Sequence, residues 1–277
     1  MIQAALKLRF GRDLGEKLGQ GGEAEVFALS AGRVLRLCLS DASPASFAAR
    51  RDLLDRLGGA CGGIAVPKVL DEGAVEGRRF TIESRLPGRP MSEALAVATD
   101  RAGLVHDYME TAALLGSEPV APPYGEIGRE DPIRADKLRS YMADRARASM
   151  ALGGVTLDAD ALAAPFEEPD RAGLVHLDYF PGNVMAEENR VTGVLDFGYA
   201  TIIGDPRFTP VLAAIYLSNR ITPPANGVDR AVAMNWLAQR GLGHLVVPMQ
   251  RWIAAYWSFC REDDPSLAAE ISRVLGV

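Results

Sequence analysis

The sequence predicts an α+β protein of two unequal lobes, a small N-terminal antiparallel sheet and a larger, mainly helical C-terminal lobe. Residues 14–39 and 66–83 alternate apolar and polar side chains as strands do, whereas apolar residues recur at helical spacing from residue 91 onward. Leu86-Pro87-Gly88, at the change of pattern, is typical of a hinge. We therefore divide the chain into an N-terminal lobe of residues 1–86 and a C-terminal lobe of residues 87–277.

The composition is that of an ordinary globular protein. The chain has 277 residues, of which 48% are hydrophobic and 24% charged, enough to build a sizeable core. It contains no run of 18 apolar residues and no signal-peptide pattern, so we expect a soluble, cytoplasmic protein. The net charge of −6 argues against nucleic acid or an anionic membrane as a partner. The oligomeric state stays open.

Three cysteines, Cys38, Cys61 and Cys260, are widely separated and form no CxxC pair. An odd number at such spacing indicates reduced thiols rather than a disulfide framework or a zinc site.

A glycine cluster joins the first two predicted strands, and residues 33–37 form a third. Gly19, Gly21 and Gly22 have no Cβ, so their backbone can approach a polyphosphate closely and direct N–H groups toward it. The alternative is an ordinary glycine-rich hairpin turn, because the order departs from GxGxxG at Ala24 and no Walker lysine follows.

Arg36 interrupts the apolar run of the third strand. If it points inward it needs an anion, which a nucleotide phosphate would supply; the alternative is an arginine at a sheet edge that faces solvent. Residues 44–57 then have the spacing of an amphipathic helix, and residues 66–70 and 79–83 are typical of two more strands. The first lobe is thus predicted as about five strands with one helix.

The second lobe is predicted to be mainly helical. The helical spacing covers residues 104–115, 133–152, 210–219, 229–240, 245–260 and 265–275, and a proline-rich loop covers residues 118–124. Its acidic residues Glu167, Glu168, Glu187 and Glu188 are expected to be solvated surface charges. Nothing in these helices identifies a substrate.

The sequence between residues 174 and 198 has the strongest chemical signal. An apolar strand leads into a loop with His176, Asp178 and Asn183, and after a hairpin a second strand ends in Asp196-Phe197-Gly198. Carboxylate and amide oxygens at adjacent strand ends, here Asp196 and Asn183, are ligands that Mg²⁺ accepts. Asp178 is placed to accept a hydrogen bond from a reacting hydroxyl, while His176 is expected to hold backbone geometry. The spacing predicts phosphoryl transfer from a nucleotide rather than a chance cluster of polar residues.

His176-Leu177-Asp178 through Asn183, followed by Asp196-Phe197-Gly198, resembles the catalytic loop and metal motif of the kinase-like superfamily. The sequence is closest to its aminoglycoside phosphotransferase and choline kinase branch, because Gly204-Asp205-Pro206 leads straight into a helix instead of a long activation segment. The resemblance implies a bilobal protein kinase-like fold, Mg²⁺ as cofactor and ATP as donor, with GTP left open. It also implies that the acceptor is a hydroxyl of a small molecule such as an aminoglycoside, an amino alcohol or a sugar-like metabolite.

The resemblance also implies a role for each matching residue. Asp178 would be the catalytic base, and Asn183 and Asp196 the metal ligands. Arg36 would occupy the position of the phosphate-binding lysine, behind a loop whose glycines cover the phosphates. The backbone from Glu83 to Leu86, which includes Ser84, would receive the adenine.

The sequence departs from the family pattern at the phosphate-binding pair. Family members usually pair the strand lysine with a glutamate on the following helix, but here the strand has Arg36 and the helix has Arg50 or Arg51. Two facing arginines repel unless Asp52, Asp55 or the nucleotide lies between them. The alternative function is therefore a diverged nucleotide-binding pseudokinase or regulatory module with little transfer activity. Protein phosphorylation is a third candidate, which the short segment after Asp196 disfavours.

Overall fold

A computed structural model describes residues 2–22, 24–39, 44–60, 63–127, 129 and 131–277. The first lobe is a five-stranded antiparallel sheet in the order β1-β2-β3-β5-β4. Its strands are β1 (Leu14–Gln20), β2 (Ala24–Leu29), β3 (Arg33–Cys38), β4 (Val69–Val75) and β5 (Arg78–Ser84). Helix α1 (Ile2–Phe10) packs on this sheet and places the buried Leu6 in its core with Phe27, Leu35 and Phe80.

Helix α2 (Pro44–Ala60) follows β3 and joins the two lobes. Its leucines Leu53, Leu54 and Leu57 are buried in the apolar core of the second lobe and not in the core of the sheet. The two cores therefore overlap in sequence, and the division at residues 86 and 87 remains a proposal.

The second lobe contains most of the helices. They are α3 (Met91–Val97), α4 (Arg101–Leu115), α5 (Leu138–Leu152), α6 (Ala159–Ala163), α7 (Phe208–Tyr216), α8 (Gly227–Gln239), α9 (Val246–Trp257) and α10 (Pro265–Leu275). The last helix has the ends that its sequence predicts: Asp264 caps the N-terminus by accepting from two backbone N–H groups, Pro265 occupies the first turn, and Gly276 ends the helix at φ +75°. None of the described helices has the length and apolar character needed to cross a membrane.

Two small sheets position the loops at the base of the cleft. The strands are β6 (Arg89–Pro90), β7 (Tyr124–Glu126), β8 (Arg134–Ala135), β9 (Gly173–His176), β10 (Val184–Glu187), β11 (Arg190–Val194) and β12 (Thr201–Gly204). One sheet has the order β11-β10-β6 and the other β8-β7-β12-β9. Because β9 and β12 pair through His176 and Thr201, the loop after β9 lies beside the segment that enters β12.

The hinge is held by contacts between its backbone and the second lobe. β6 pairs with β10, and the Thr192 hydroxyl donates to the Pro87 carbonyl over 2.7 Å. Gly88 has φ +87°, and a Cβ at this position would collide with the carbonyl oxygen of Ala186. Glycine is therefore required here both by the backbone conformation and by the close approach of β10.

The predicted arrangement, a small antiparallel sheet followed by a mainly helical lobe, is confirmed, although individual elements differ from the prediction. Helix α1 was not predicted. The strand expected at residues 66–70 is β4, which begins at Val69 and continues through the charged pair Asp71-Glu72. The helix expected from residue 133 begins at Leu138, because Arg134–Ala135 pair as β8 with β7.

Candidate active site

All nine site residues predicted from the sequence line one cavity of about 1000 Å³ between the lobes, referred to below as the cleft. They are Gly19, Gly21, Gly22, Arg36, Ser84, Leu86, Asp178, Asn183 and Asp196. A volume of this size lies at the upper end of the range for small-molecule sites, so the cleft has room for more than one ligand of ordinary size.

Asp178 and Asn183 are joined directly. The Asn183 Nδ2 donates to the Asp178 carboxylate Oδ2 over 2.8 Å and to the Asp178 carbonyl over 3.0 Å. The backbone closes the same turn, since Phe180 N–H donates to the Asp178 carbonyl. The side chain of Asp178 is thus fixed in orientation by a residue five positions later.

His176 holds this loop to the strand that precedes Asp196. Its Nδ1 accepts from the Asp178 N–H over 3.2 Å, and its Nε2 lies 2.9 Å from the Leu195 carbonyl, to which it donates. The ring is fully buried, and burial lowers its pKa in spite of the Leu195 carbonyl and the Asp196 carboxylate, which favour the charged form. A neutral imidazole in this position supports backbone geometry, the role expected from the sequence.

Asp196 lies on the opposite wall of the same corner. Its φ of +59° is in the left-handed region, which a non-glycine residue adopts at a cost and which recurs at functional sites. The preceding Leu195 N–H donates to the Asn183 carbonyl over 2.8 Å, so the two candidate metal ligands are held side by side through their backbones.

The groups in this corner fit a bound Mg²⁺. Because the Nδ2 of Asn183 donates to Asp178, its amide oxygen remains available as a ligand, and the exposed Asp196 supplies a carboxylate. Within the described ranges, no group of three or more His, Cys, Asp or Glu side chains is arranged to hold a metal ion. Two protein ligands are nevertheless what Mg²⁺ requires when phosphate and water oxygens complete its coordination.

Asp178 has a pKa well above its usual range. Burial is the main cause, the neighbouring Asp196 carboxylate adds to it, and the hydrogen bond from Asn183 opposes it. Because the Asp196 carboxylate adds to the cost of ionising Asp178, this corner of the cleft is a natural place for a cation.

The glycines of the first hairpin have no structural reason to be glycine. β1 and β2 pair up to Gln20 and Glu25, and Gly21 N–H donates to the Ala24 carbonyl. A Cβ at Gly19, Gly21 or Gly22 would meet nothing within 4 Å, and none of the three has a positive φ. Neither protein packing nor backbone conformation therefore explains them, whereas the close approach of a ligand would.

The hinge strand offers fewer backbone groups than expected. The Ser84 N–H donates to the Lys68 carbonyl, and the Arg85 N–H donates to the Gly32 carbonyl, both over 2.9 Å. Both donors are therefore occupied within the sheet. Among the N–H groups of residues 84–86, this leaves that of Leu86 for a base, and its side chain also lines the cleft.

The phosphate-binding pair differs from what the sequence suggested. Arg50, and not Arg51, lines the cleft together with Arg36, while Arg51 pairs with Glu72 at the surface. An anion close to both arginines is Glu83 of β5, which the sequence analysis did not consider beside Asp52, Asp55 and the nucleotide. Arg50 and Glu83 form a bidentate ion pair, in which Nη1 donates to Oε1 over 2.6 Å and Nη2 donates to Oε2 over 3.3 Å.

Glu83 is a nearly fully buried carboxylate that stays ionised. Burial alone would raise its pKa, but the charge and hydrogen bonds of Arg50, a hydrogen bond from the Thr81 hydroxyl and the charge of Arg36 outweigh burial and lower it. The signal for this contact was present in the sequence: Glu83 interrupts the apolar run Phe80-Thr81-Ile82 just as Arg36 interrupts the run of β3.

The far half of the cleft is built from parts that sequence reasoning did not assign. Tyr199, the segment after α7, and helices α9 and α10 line it, with Asp263, Asp264 and Glu270 as its acidic residues. Glu167, Glu168, Glu187 and Glu188 are not among the lining residues. The signal that could have found this surface is the apolar stripe of α10, in which Leu267, Ile271 and Val274 repeat at helical spacing.

Comparison with known families identifies the class of protein. The model of the phosphotransferase enzyme family matches residues 15–226, a span that includes the glycine hairpin, Arg36, the hinge, Asp178, Asn183 and Asp196. The chain therefore belongs to the phosphotransferase enzyme family, and the resemblance and the enzyme class predicted from the motifs are confirmed. No curated protein matches the sequence.

Solved structures of similar fold include three proteins whose names refer to different small molecules. The streptomycin–ATP–APH(2")-IIa ternary complex has a TM-score of 0.66 at 15% identity, covering 99% of this chain and 94% of that one. Macrolide 2'-phosphotransferase MphH from Brachybacterium faecium has a TM-score of 0.58 at 18% identity, covering 100% and 99%. A putative fructosamine-3-kinase from Haemophilus somnus 129PT has a TM-score of 0.64 at 13% identity, covering 99% and 98%. These similarities confirm the predicted bilobal, kinase-like fold.

Proposed function

We propose that the protein transfers the γ-phosphoryl group of ATP to a hydroxyl group of a small molecule with the help of Mg²⁺. The observation that carries this proposal is the joined corner of the cleft, where Asn183 orients Asp178 by a 2.8 Å hydrogen bond and is itself tied to the strand of Asp196. Solved relatives of the same fold bind ATP and small molecules, as the streptomycin and ATP complex illustrates.

In the proposed reaction the acceptor hydroxyl lies against the Asp178 carboxylate. The hydroxyl oxygen forms a bond to the γ-phosphorus, the bond from that phosphorus to the β,γ-bridging oxygen breaks, and ADP leaves with the electron pair. The hydroxyl proton passes to Asp178. Because Asn183 and the His176 contact hold the Asp178 loop in place before any ligand arrives, the carboxylate needs no reorganisation to receive that proton.

The remaining predicted residues bind the nucleotide in this proposal. Asn183 and Asp196 would hold Mg²⁺, which would neutralise the charge that develops on the phosphate oxygens. Gly19, Gly21 and Gly22 cover the phosphates, which explains why glycine is present where the protein itself does not need it. The Leu86 N–H is the backbone donor to the adenine.

Arg36 and Arg50 together provide the positive charge for the α- and β-phosphates. Arginine forks match phosphate oxygens bidentately, and Glu83 holds the Arg50 fork in the cleft before the nucleotide binds. The same carboxylate supports an active enzyme rather than a pseudokinase, because its negative charge lies close to both arginines.

A coupled assay of ADP release with ATP, Mg²⁺ and a panel of hydroxyl compounds tests the proposal, with product confirmed by mass spectrometry. We expect at least one acceptor to be phosphorylated, and Asp178→Asn to lower kcat by about 10²-fold to 10⁴-fold. Calorimetric titration with ATP serves as control, since Asp178→Asn should leave nucleotide affinity nearly unchanged. Equal turnover in the wild type and the variant would remove Asp178 from its role, and nucleotide binding without product from any acceptor would favour the pseudokinase.

A further inference from the structure

The half of the cleft beyond Asp178 has a predominantly apolar lining. It is formed by the end of α7 and the segment that follows it, together with α9 and α10. Its apolar residues include Ile221, Ile253, Trp257, Leu267, Ile271 and Val274. This surface is continuous with Asp178 and Asp196, since the same cavity contains all of them.

The fold leaves this surface uncovered. Leu267, Ile271 and Val274 lie on one face of α10, yet only Ile271 is buried, and the other two remain partly exposed beside the cleft. Trp257 is also partly exposed, and its one polar atom, Nε1, already donates to the Tyr216 hydroxyl over 3.2 Å. At Trp257, Leu267 and Val274 a ligand therefore meets ring carbons and hydrocarbon.

Two of the three acidic side chains around this surface already have partners within the protein. Asp264 accepts from the N–H groups of Ser266 and Leu267 as the cap of α10, and Glu270 accepts from the Arg273 guanidinium on the same helix. Of the three described carboxylates in this half, Asp263 is the one without such a contact. Arg220 also lines the cleft and would repel ammonium groups.

We infer that the acceptor is an amphipathic alcohol, a compound whose apolar body rests on α9 and α10 while a hydroxyl reaches Asp178; this inference rests on the proposed function. A polycationic amino sugar would leave this apolar surface hydrated and would place its ammonium groups near Arg220. Two of the three carboxylates that could bind those groups already accept hydrogen bonds from the protein. An apolar body covers the surface and needs no new charge pair.

Calorimetric titration of the full-length protein, saturated with Mg²⁺ and a nonhydrolysable ATP analogue, tests the inference. The probes are n-octyl β-D-glucopyranoside below its micellar concentration, methyl β-D-glucopyranoside and kanamycin. The two glucosides present the same sugar hydroxyls and differ only in the length of the alkyl chain. Because each buried methylene tightens binding by up to about fourfold, we expect the octyl compound to bind at least about tenfold more tightly than the methyl compound. Kanamycin should bind more weakly than the octyl glucoside.

Two substitutions on the lining and one outside it locate the binding surface. Leu267→Glu and Val274→Glu should each remove most of the preference for the octyl chain. Val247→Glu is the matched control, because Val247 is an exposed apolar residue of α9, 67% accessible, that does not line the cleft, and it should keep the preference. Equal affinity for the two glucosides, tighter binding of kanamycin, or an octyl preference that survives Leu267→Glu would overturn the inference.

Nucleotide affinity, measured on the same proteins in the absence of glucoside, separates this inference from the proposed function. If ATP binds and an acceptor is phosphorylated but the octyl preference is missing, the acceptor class is wrong and the function stands. If neither ATP binding nor turnover is found while the octyl preference follows the lining variants, the function is wrong and the apolar surface binds amphipathic compounds for another purpose.

Discussion

Replacing Glu83 by glutamine should destabilise the protein strongly, because it removes the buried anion that pairs with Arg50 without changing the shape of the side chain. The Glu83 side chain is 5% exposed and that of Arg50 11%, so solvent screens their interaction little. Removing one partner of a buried ion pair costs about 3 to 5 kcal/mol. Glutamine can still accept from Thr81 and Arg50, which places the expected loss of unfolding free energy near the lower end, about 3 kcal/mol.

The assay is equilibrium unfolding in urea, with Asp144→Asn as matched control. Asp144 pairs with Arg147 at a similar distance, 2.7 Å, but both side chains are 53% exposed. An exposed pair contributes about 1 kcal/mol or less, so the control should lose little stability. A loss at Glu83→Gln no larger than that of the control would refute the assignment of Glu83 as the buried anion of the cleft.

The same variant gives a pH dependence whose sign follows from the lowered pKa of Glu83. Ionised Glu83 stabilises the fold at every pH above its unfolded-state pKa, ordinarily 4.5, and this contribution is lost as the pH falls through the lower folded-state value. The difference in unfolding free energy between wild type and Glu83→Gln should therefore be constant above about pH 5 and shrink below pH 4.5. A difference that stays constant down to pH 3 would contradict this.

Two further predictions concern the cleft. Arg50→Met should raise the KM for ATP about tenfold or more, because a charged hydrogen bond to phosphate is lost. Arg51→Met is the control and should leave the KM unchanged, because Arg51 pairs with Glu72 at the surface. Equal effects of the two substitutions in saturation kinetics would remove Arg50 from the nucleotide site. Burial, with the Asp263 carboxylate, raises the pKa of the Cys260 thiol to about 11, so its alkylation by iodoacetamide should be slow at pH 8 and accelerate about tenfold per pH unit up to pH 10. Peptide mass spectrometry measures this rate, and a flat profile would contradict it.

The site could be predicted from the sequence where its contacts are local. Asp178 and Asn183 are five residues apart and bond to each other, and Asp196 follows on the next strand, so their spacing carries the geometry. Glu83 was not assigned because its partner Arg50 lies 33 residues away on another element, and spacing along the chain says nothing about such a pair. The sequence did show that Arg36 and Glu83 each interrupt an apolar strand, and a charged residue in such a position requires a buried counter-charge.

The prediction of the fold succeeded where an element is determined by residues close in sequence. It failed where an element depends on pairing with another element. Amphipathic helices such as α10 have their period and caps within a few residues, and the predicted range 265–275 matches Pro265–Leu275. By contrast, residues 133–135 have helical spacing but are held in extended structure by a neighbouring strand: Ile133 N–H donates to the buried Glu126 carboxylate, and β8 pairs with β7. Pairing between strands overrides local periodicity in such segments.

The usual family pattern places a glutamate on the helix that follows the third strand, whereas here the carboxylate is Glu83 on β5. The contacts of helix α2 show what this difference means for the position of Arg50. The helix is attached to the second lobe by buried leucines, Leu53, Leu54 and Leu57, and to the small sheet by the Arg50–Glu83 and Arg51–Glu72 pairs. Arg50 is therefore fixed from both sides: its helix is packed into the larger core, and its guanidinium is held by a strand that leads to residues 86–88. In the proposed function, a cation restrained in this way before the nucleotide arrives would lose little side-chain freedom on binding, so that more of the phosphate interaction would contribute to affinity.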